Sequence, residues 1–346
     1  MKILVRATNW VGDAVMSIPA LEALRARWPE AEIAIAGRDQ IVGLYRGQPF
    51  ADRLIELGAA GRGAPVATER AAAELRRERF DLGIVLPNSF ASAWLMWRAE
   101  ARRRVGYARE GRRWLLTNPI PVPRRGAIPP HECYYYLELL RRAGWLGELP
   151  TVERARLQVD PEAAAGADEK LRAAGATGQR IALAPGASYG AAKCWPAERY
   201  AAVADRLAGE LGAVIVLFGT PAEREIGERI AGAMRSRPVN LVGRTSVAEL
   251  PALLAACRLF LGNDSGAMHV AAAVGLPVAA IFGSTDPEGT APLTPQRMIA
   301  RHPVSCSPCF LRYCPVDHRC MTRIGVDEVY QLTRQLWGEN RLDGKR

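Results

Sequence analysis

Lysine is nearly absent from this 346-residue chain: of its 46 Lys+Arg residues only Lys2, Lys170, Lys193 and Lys345 are lysine. The arginine-rich stretch 98–125 holds only Tyr107 and Trp114 as aromatics, too few for a base-stacking platform, and no nucleic-acid-binding module is recognisable. Long apolar runs are missing as well. The uncharged stretch 270–285 is short and broken by Gly275, Pro277 and Gly283, which excludes a spanning helix there. Arg6 and Asp13 interrupt the apolar opening, so no signal peptide is expected and the expected location is the reducing cytoplasm. No Gly-x-Gly-x-x-Gly follows the first apolar run, which argues against a nicotinamide dehydrogenase. No Asp-x-Asp motif is present, so no obligatory catalytic metal is expected.

What is present is an ordinary globular balance, 49% hydrophobic and 24% charged, in a chain long enough for about two domains. Such cores need neither disulfides nor metal to fold. Disorder, collagen and coiled coil are excluded for the chain as a whole. The net charge of +10 implies an anionic partner: nucleic acid, an acidic membrane surface or a phosphorylated substrate.

The pattern is apolar strand, polar or glycine-rich turn, amphipathic helix, repeated. Strands are expected at 2–7, 32–36, 53–57 and 82–86, with a helix at 14–28. A second cycle places strands at 181–184, 213–218, 240–243, 259–262 and 278–282. Its helices fall at 196–211, 222–234, 246–256 and 265–274, and a last helix at 326–337. The expected fold class is α/β, with two Rossmann-like halves whose parallel sheets face a cleft. The first domain is 1–155, the second 156–325, and residues 326–346 form a terminal helix expected to pack back on the first domain.

Five segments carry candidate chemistry. In Asn9-Trp10-Val11-Gly12-Asp13, Asp13 reads either as a first-turn residue favoured by the helix dipole or as a general base. The small-residue loop 185–196 holds Lys193, which is either solvated or a point charge for phosphate. In Gly262-Asn263-Asp264-Ser265-Gly266, a strand runs into a helix whose first N–H groups form an anion site. Asp264 is there either an N-cap or a ligand contact, and His269 either packs or binds. Residues 98–125 contain nine arginines and two glutamates, a net +7. They form a solvated face or a docking patch for a phosphorylated acceptor or lipid headgroups, with Arg102, Arg103, Arg104, Arg109, Arg112 and Arg113 as the candidates. Finally, Cys306, Cys309, Cys314, His318 and Cys320 have spacings that could wrap a structural zinc ion, or form a compact loop of reduced thiols.

Together the segment 9–21, the Lys193-Cys194-Trp195-Pro196 loop, residues 262–266 and the late cysteine cluster resemble the ADP-heptose:lipopolysaccharide heptosyltransferases, and most of all those that add the second heptose. The resemblance implies a GT-B glycosyltransferase of family 9. It would move L-glycero-D-manno-heptose from ADP-heptose to the first heptose of a phosphorylated Kdo-lipid A acceptor. The implied place is the cytoplasmic face of the inner membrane, with peripheral contact and no nucleic-acid partner. It implies Asp13 as catalytic base, Lys193 at the donor diphosphate, and Asp264, Ser265, Gly266 and His269 around the donor loop. It implies Glu223, or alternatively Glu225, near the adenosine, Thr245 at the adenine, and Ser188 in the loop before the lysine.

Overall fold

In the computed structural model of the protein, residues 1–58 and 64–342 are described. Lys345 and the end of segment 326–346 lie outside them. The chain divides into two compact units, Met1–Val152 and Glu153–Arg346.

The first unit contains β1 (Lys2–Arg6), β2 (Glu32–Gly37), β3 (Arg53–Glu56), β4 (Leu82–Val85), β5 (Arg103–Tyr107) and β6 (Asn118–Ile120). They form one sheet in the order β3-β2-β1-β4-β5-β6, with every pair parallel. The second contains β7 (Arg180–Ala184), β8 (Val214–Leu217), β9 (Val239–Asn240), β10 (Leu259–Asn263), β11 (Val278–Phe282) and β12 (Arg297–Arg301). Read from β9, its order is β9-β8-β7-β10-β11-β12, the same doubly wound pattern, again all parallel. Each sheet therefore has one switch point, between β1 and β4 and between β7 and β10, where loops diverge and ligands lodge at the carboxyl edge.

Parallel strands covered on both faces must be apolar along their length. β1 carries Ile3, Leu4 and Val5, and all five residues of β7, β10 and β11 are buried. Three strands escape the apolar-run criterion. β6 has only three residues, β5 opens on Arg103 and Arg104, and β12 has an arginine at each end, so the stretch 98–125 reads as a charge run although it contains two strands. The helix expected at 14–28 is two helices, Val11–Met16 and Ile18–Arg27. They meet at Ser17, whose hydroxyl donates to the Ala14 carbonyl at 2.8 Å. Pro19 brings no N–H and sits where a new helix can begin. The terminal helix Val326–Leu342 buries Tyr330, Leu336 and Trp337 in the core of the second unit, so it is an integral part of that unit.

Gly262 in β10 fixes how closely β10 approaches β7. A Cβ at this position would lie 2.7 Å from the Ala184 carbonyl oxygen and 2.9 Å from the Phe260 ring. Gly262→Ala is expected to lower unfolding stability by about 1–3 kcal/mol. Urea titration tests this, and an unchanged midpoint would show that the two strands part freely.

Candidate active site

At the first switch point β1 ends on Arg6, which is only 3% exposed. Its guanidinium donates to the Ala7 carbonyl and, at 2.7 Å, to Asn9 Oδ1, and this ties the loop to the strand end. Burial lowers its pKa to about 10. Trp10 is extended and exposed, and Asp13 follows in the first helical turn, half-buried. Beneath it, the buried Tyr45 hydroxyl donates to the Ala14 carbonyl at 2.8 Å and meets Ser17 Oγ at 3.1 Å.

The charge of Asp13 is felt by a residue that sequence gave no reason to single out. Glu132, just before the helix Cys133–Arg142, is pushed up to about 7, first by burial and then by Asp13, with Arg109 opposing. Two carboxyls therefore face one another electrostatically, and the second holds its proton near neutrality.

The arginine run is not one patch. β5 carries Arg103 and Arg104 at its amino end, preceded by the 81%-exposed Arg102, which pairs with Asp81 at 3.7 Å. Arg109, Arg112 and Arg113 follow its carboxyl end, on the edge that holds Asp13. Arg104 spends its donors on the Leu115 and Ala101 carbonyls, at 2.8 and 2.7 Å. Arg112 is fully buried and donates to the carbonyls of Tyr107, Pro87 and Ser89, so it cannot dock a solvent-borne anion. Arg109 and Arg113 remain exposed on the site edge.

At the second switch point the loop 185–196 and the strand-to-helix junction 262–266 are joined by Asn263, which is completely buried. Its Nδ2 donates to the Pro185 carbonyl at 2.6 Å, and its Oδ1 accepts from Trp195 N at 3.1 Å and Tyr200 Oη at 2.8 Å. Both ends of the 185–195 loop are thus pinned to the end of β10. Next to it, Asp264 is 4% exposed and accepts from Lys193 Nζ at 2.6 Å, Thr285 Oγ1 at 2.7 Å and Thr290 Oγ1 at 3.4 Å. The N-cap of the helix Gly266–Ala273 is Ser265 rather than Asp264, and its hydroxyl accepts from Met268 N. Ser265, Gly266 and Ala267 are half-buried at the helix mouth, where first-turn N–H groups have no intrahelical acceptor. His269 is buried behind them, with Nε2 4.0 Å from Asp264 Oδ1.

The loops after β8 and β9 complete this edge. Glu223 closes a capping box with Thr220: its Oε2 accepts from Thr220 N at 2.6 Å and from the hydroxyl at 2.9 Å. It lies over the donor loop so closely that a Cβ on Gly186 would come within 2.1 Å of its Oε1. Glu225 is exposed in the following helix, so Glu223 is the glutamate facing the loop. Thr245 is half-buried beyond β9, and Ser188 is exposed.

Of the two readings of the cysteine-rich segment, the structure has the cysteines free. Among the described residues no group of three or more Cys, His, Asp or Glu could hold a metal ion, so a structural zinc is not supported. Cys306 and Cys314 are exposed while Cys320 is buried. His318 Nε2 is engaged with the Ala192 carbonyl at 2.9 Å. The segment braces the donor loop instead. Arg312 O accepts from Ala192 N at 2.9 Å, and Phe310 O accepts from the Tyr189 hydroxyl at 2.7 Å.

Two doubly wound units, one with a carboxylate at its switch point and the other with a cationic, helix-capped anion site, have the layout of a GT-B glycosyltransferase. Comparison with known proteins agrees. Residues 69–319 match the model of glycosyltransferase family 9 (heptosyltransferase). The lipooligosaccharide heptosyltransferase 2 of Haemophilus influenzae is 32% identical over 308 residues, spanning 87% of this chain and 88% of that one. The lipopolysaccharide heptosyltransferase 2 of Escherichia coli K12 is 34% identical over 312 residues, with the same coverage. The solved structure of E. coli ADP-heptose lps heptosyltransferase II matches with a TM-score of 0.84 at 30% identity, covering 99% of this chain and all of that one. The chain belongs to glycosyltransferase family 9.

The raised ionisation of Glu132 has a sign. In the unfolded chain it loses its proton near the ordinary carboxylate value of 4.5, and in the folded protein only near 7. The folded state binds more protons across that window, so stability falls as pH rises through it. Glu132→Gln removes this loss. The variant should gain about 1–2 kcal/mol relative to wild type between pH 5 and pH 8, allowing for screening. Denaturant titration at the two pH values reads the difference, and an equal effect at both would contradict the assignment.

Proposed function

We propose that the chain transfers L-glycero-D-manno-heptose from ADP-heptose to the first heptose of a phosphorylated Kdo-lipid A inner core, inverting the anomeric centre. The observation that carries this reading is the Lys193–Asp264 pair at the open mouth of the helix Gly266–Ala273. A lysine and a set of free N–H groups on one strand edge form a receptor for a diphosphate.

Asp13 takes the proton of the acceptor hydroxyl as its oxygen attacks the anomeric carbon. The bond from that carbon to the diphosphate oxygen breaks, and its electron pair leaves on ADP. Lys193 and the N–H groups of Ser265 and Gly266 stabilise the growing negative charge, which raises rate as well as affinity. Glu223 and Thr245, on the loops after β8 and β9, hold the adenosine. Ser188 contributes a hydroxyl near the phosphates, and Asp264 with His269 keeps Lys193 in place. Arg109 and Arg113 receive the phosphates of the acceptor. Arg102 and Arg103, at the opposite edge of the sheet, are left out of that role. No helix among the described residues is long and apolar enough to cross a membrane. The proposed contact with the bilayer that carries the acceptor is a peripheral one.

Transfer assays with ADP-heptose should show turnover on a one-heptose acceptor and little on a zero-heptose acceptor. The reverse preference would reassign the acceptor. Asp13→Asn should retain ADP-heptose binding and lose about two to four decades of kcat; unchanged kcat would remove Asp13 as base. Lys193→Ala should raise the donor KM and lower kcat together, whereas an effect confined to the acceptor KM would move Lys193 off the diphosphate.

A further inference from the structure

The carboxyl edge of the first sheet carries more than the base. Along the neighbouring strands β1, β4, β5 and β6, each following loop exposes a group suited to a lipid–water boundary. Trp10 after β1 is 44% exposed, Phe90 after β4 is 40% and Trp114 after β5 is 60%. The loop after β6 exposes Val122, Arg124 and Arg125. Phe90 and Trp114 are not isolated. With Trp94 and Trp97 they form a cluster of four rings whose contacting centroids lie 4.9–6.4 Å apart. Indole rings favour the headgroup level of a bilayer, where the ring is buried and its N–H remains wet. Arginines beside them supply positive charge for lipid phosphates.

We propose that this edge is the surface on which the protein rests on an anionic phospholipid bilayer, with Phe90 and Trp114 at headgroup depth and Arg124 and Arg125 on lipid phosphates. Charge complementarity selects the partner. Among the exposed charges on the β5–β6 loop and the loop after β6 as far as residue 130, Arg109, Arg113, Arg124 and Arg125 face one acid, Glu110. The inference deepens the proposed function, because it rests on the acceptor being anchored in a bilayer. It places Asp13 and the lipid contact on the same edge of one sheet, so the acceptor sugar is presented without being pulled from the membrane.

The test uses the full chain and vesicles that contain no acceptor. Sedimentation with vesicles of phosphatidylethanolamine and phosphatidylglycerol should retain the wild type, while phosphatidylcholine vesicles should not. Arg124→Glu with Arg125→Glu should weaken partitioning about tenfold or more. Phe90→Ser with Trp114→Ser should abolish it at raised salt, where the charge contribution is screened. All variants should turn over a water-soluble, delipidated acceptor as wild type does, and that arm reads the proposed reaction independently of the membrane. Partitioning unchanged in both variant pairs, or equal on phosphatidylcholine, overturns the proposal. So does a dimer in light scattering that the Phe90/Trp114 substitutions dissociate without any change in vesicle binding, since the edge would then cover a second copy. The arginine pair lies on an exposed loop and keeps the test decisive if the aromatic variant fails to fold.

Discussion

The switch point of the second unit depends on one buried amide. Asn263 ends β10, and its side chain holds both ends of the loop after β7, at Pro185 and at Trp195. Unmade, these bonds would leave buried polar groups unpaired, each costing about 1–3 kcal/mol. Made, they fix where Lys193 emerges, because only Cys194 separates it from Trp195. They also fix Asp264, the next residue after the amide, against Lys193 Nζ. The switch point of a doubly wound sheet says where a ligand binds. Here the amide turns that general rule into a fixed distance between a cation and a helix mouth.

The loop is held from outside as well. The 310–318 segment bonds to it at Tyr189, at Ala192 N and at the Ala192 carbonyl. Gly190 lets Arg312 approach so closely that a Cβ there would lie 2.3 Å from the Arg312 carbonyl oxygen. The donor loop is therefore fastened below by a side chain and above by a backbone. Donors on a loop held in this way do not have to reorganise when an anion arrives.

Much of this was legible in the residues. The apolar runs of β1, β2, β4, β7, β8, β10 and β11 announce two parallel sheets, and the strand-to-helix junctions at Asp13 and Asp264 mark the switch points. β5 and β12 were hidden because arginines interrupt their apolar pattern, at the amino end of β5 and at both ends of β12. Glu132 was hidden because its partner Asp13 is far away in sequence and adjacent only in the fold. The cysteine spacing left zinc and reduced thiols open, and the cysteines are free. The brace it forms on the donor loop uses carbonyls, an amide N–H, a phenol and an imidazole, and no thiol is needed for it. The +10 charge pointed to an anion but concealed that Arg104 and Arg112 each bond to carbonyls of their own fold, Arg112 through Nε and Nη1.

The Lys193–Asp264 pair also sets the direction of the ammonium. Lys193 Nζ carries three N–H donors, and Asp264 accepts one of them at 2.6 Å. The carboxylate in turn accepts from Thr285 and Thr290, so it is anchored on two further loops. A lysine side chain that would otherwise sample many rotamers is thereby held in one, and its ordering entropy is lost on folding and not on the arrival of an anion.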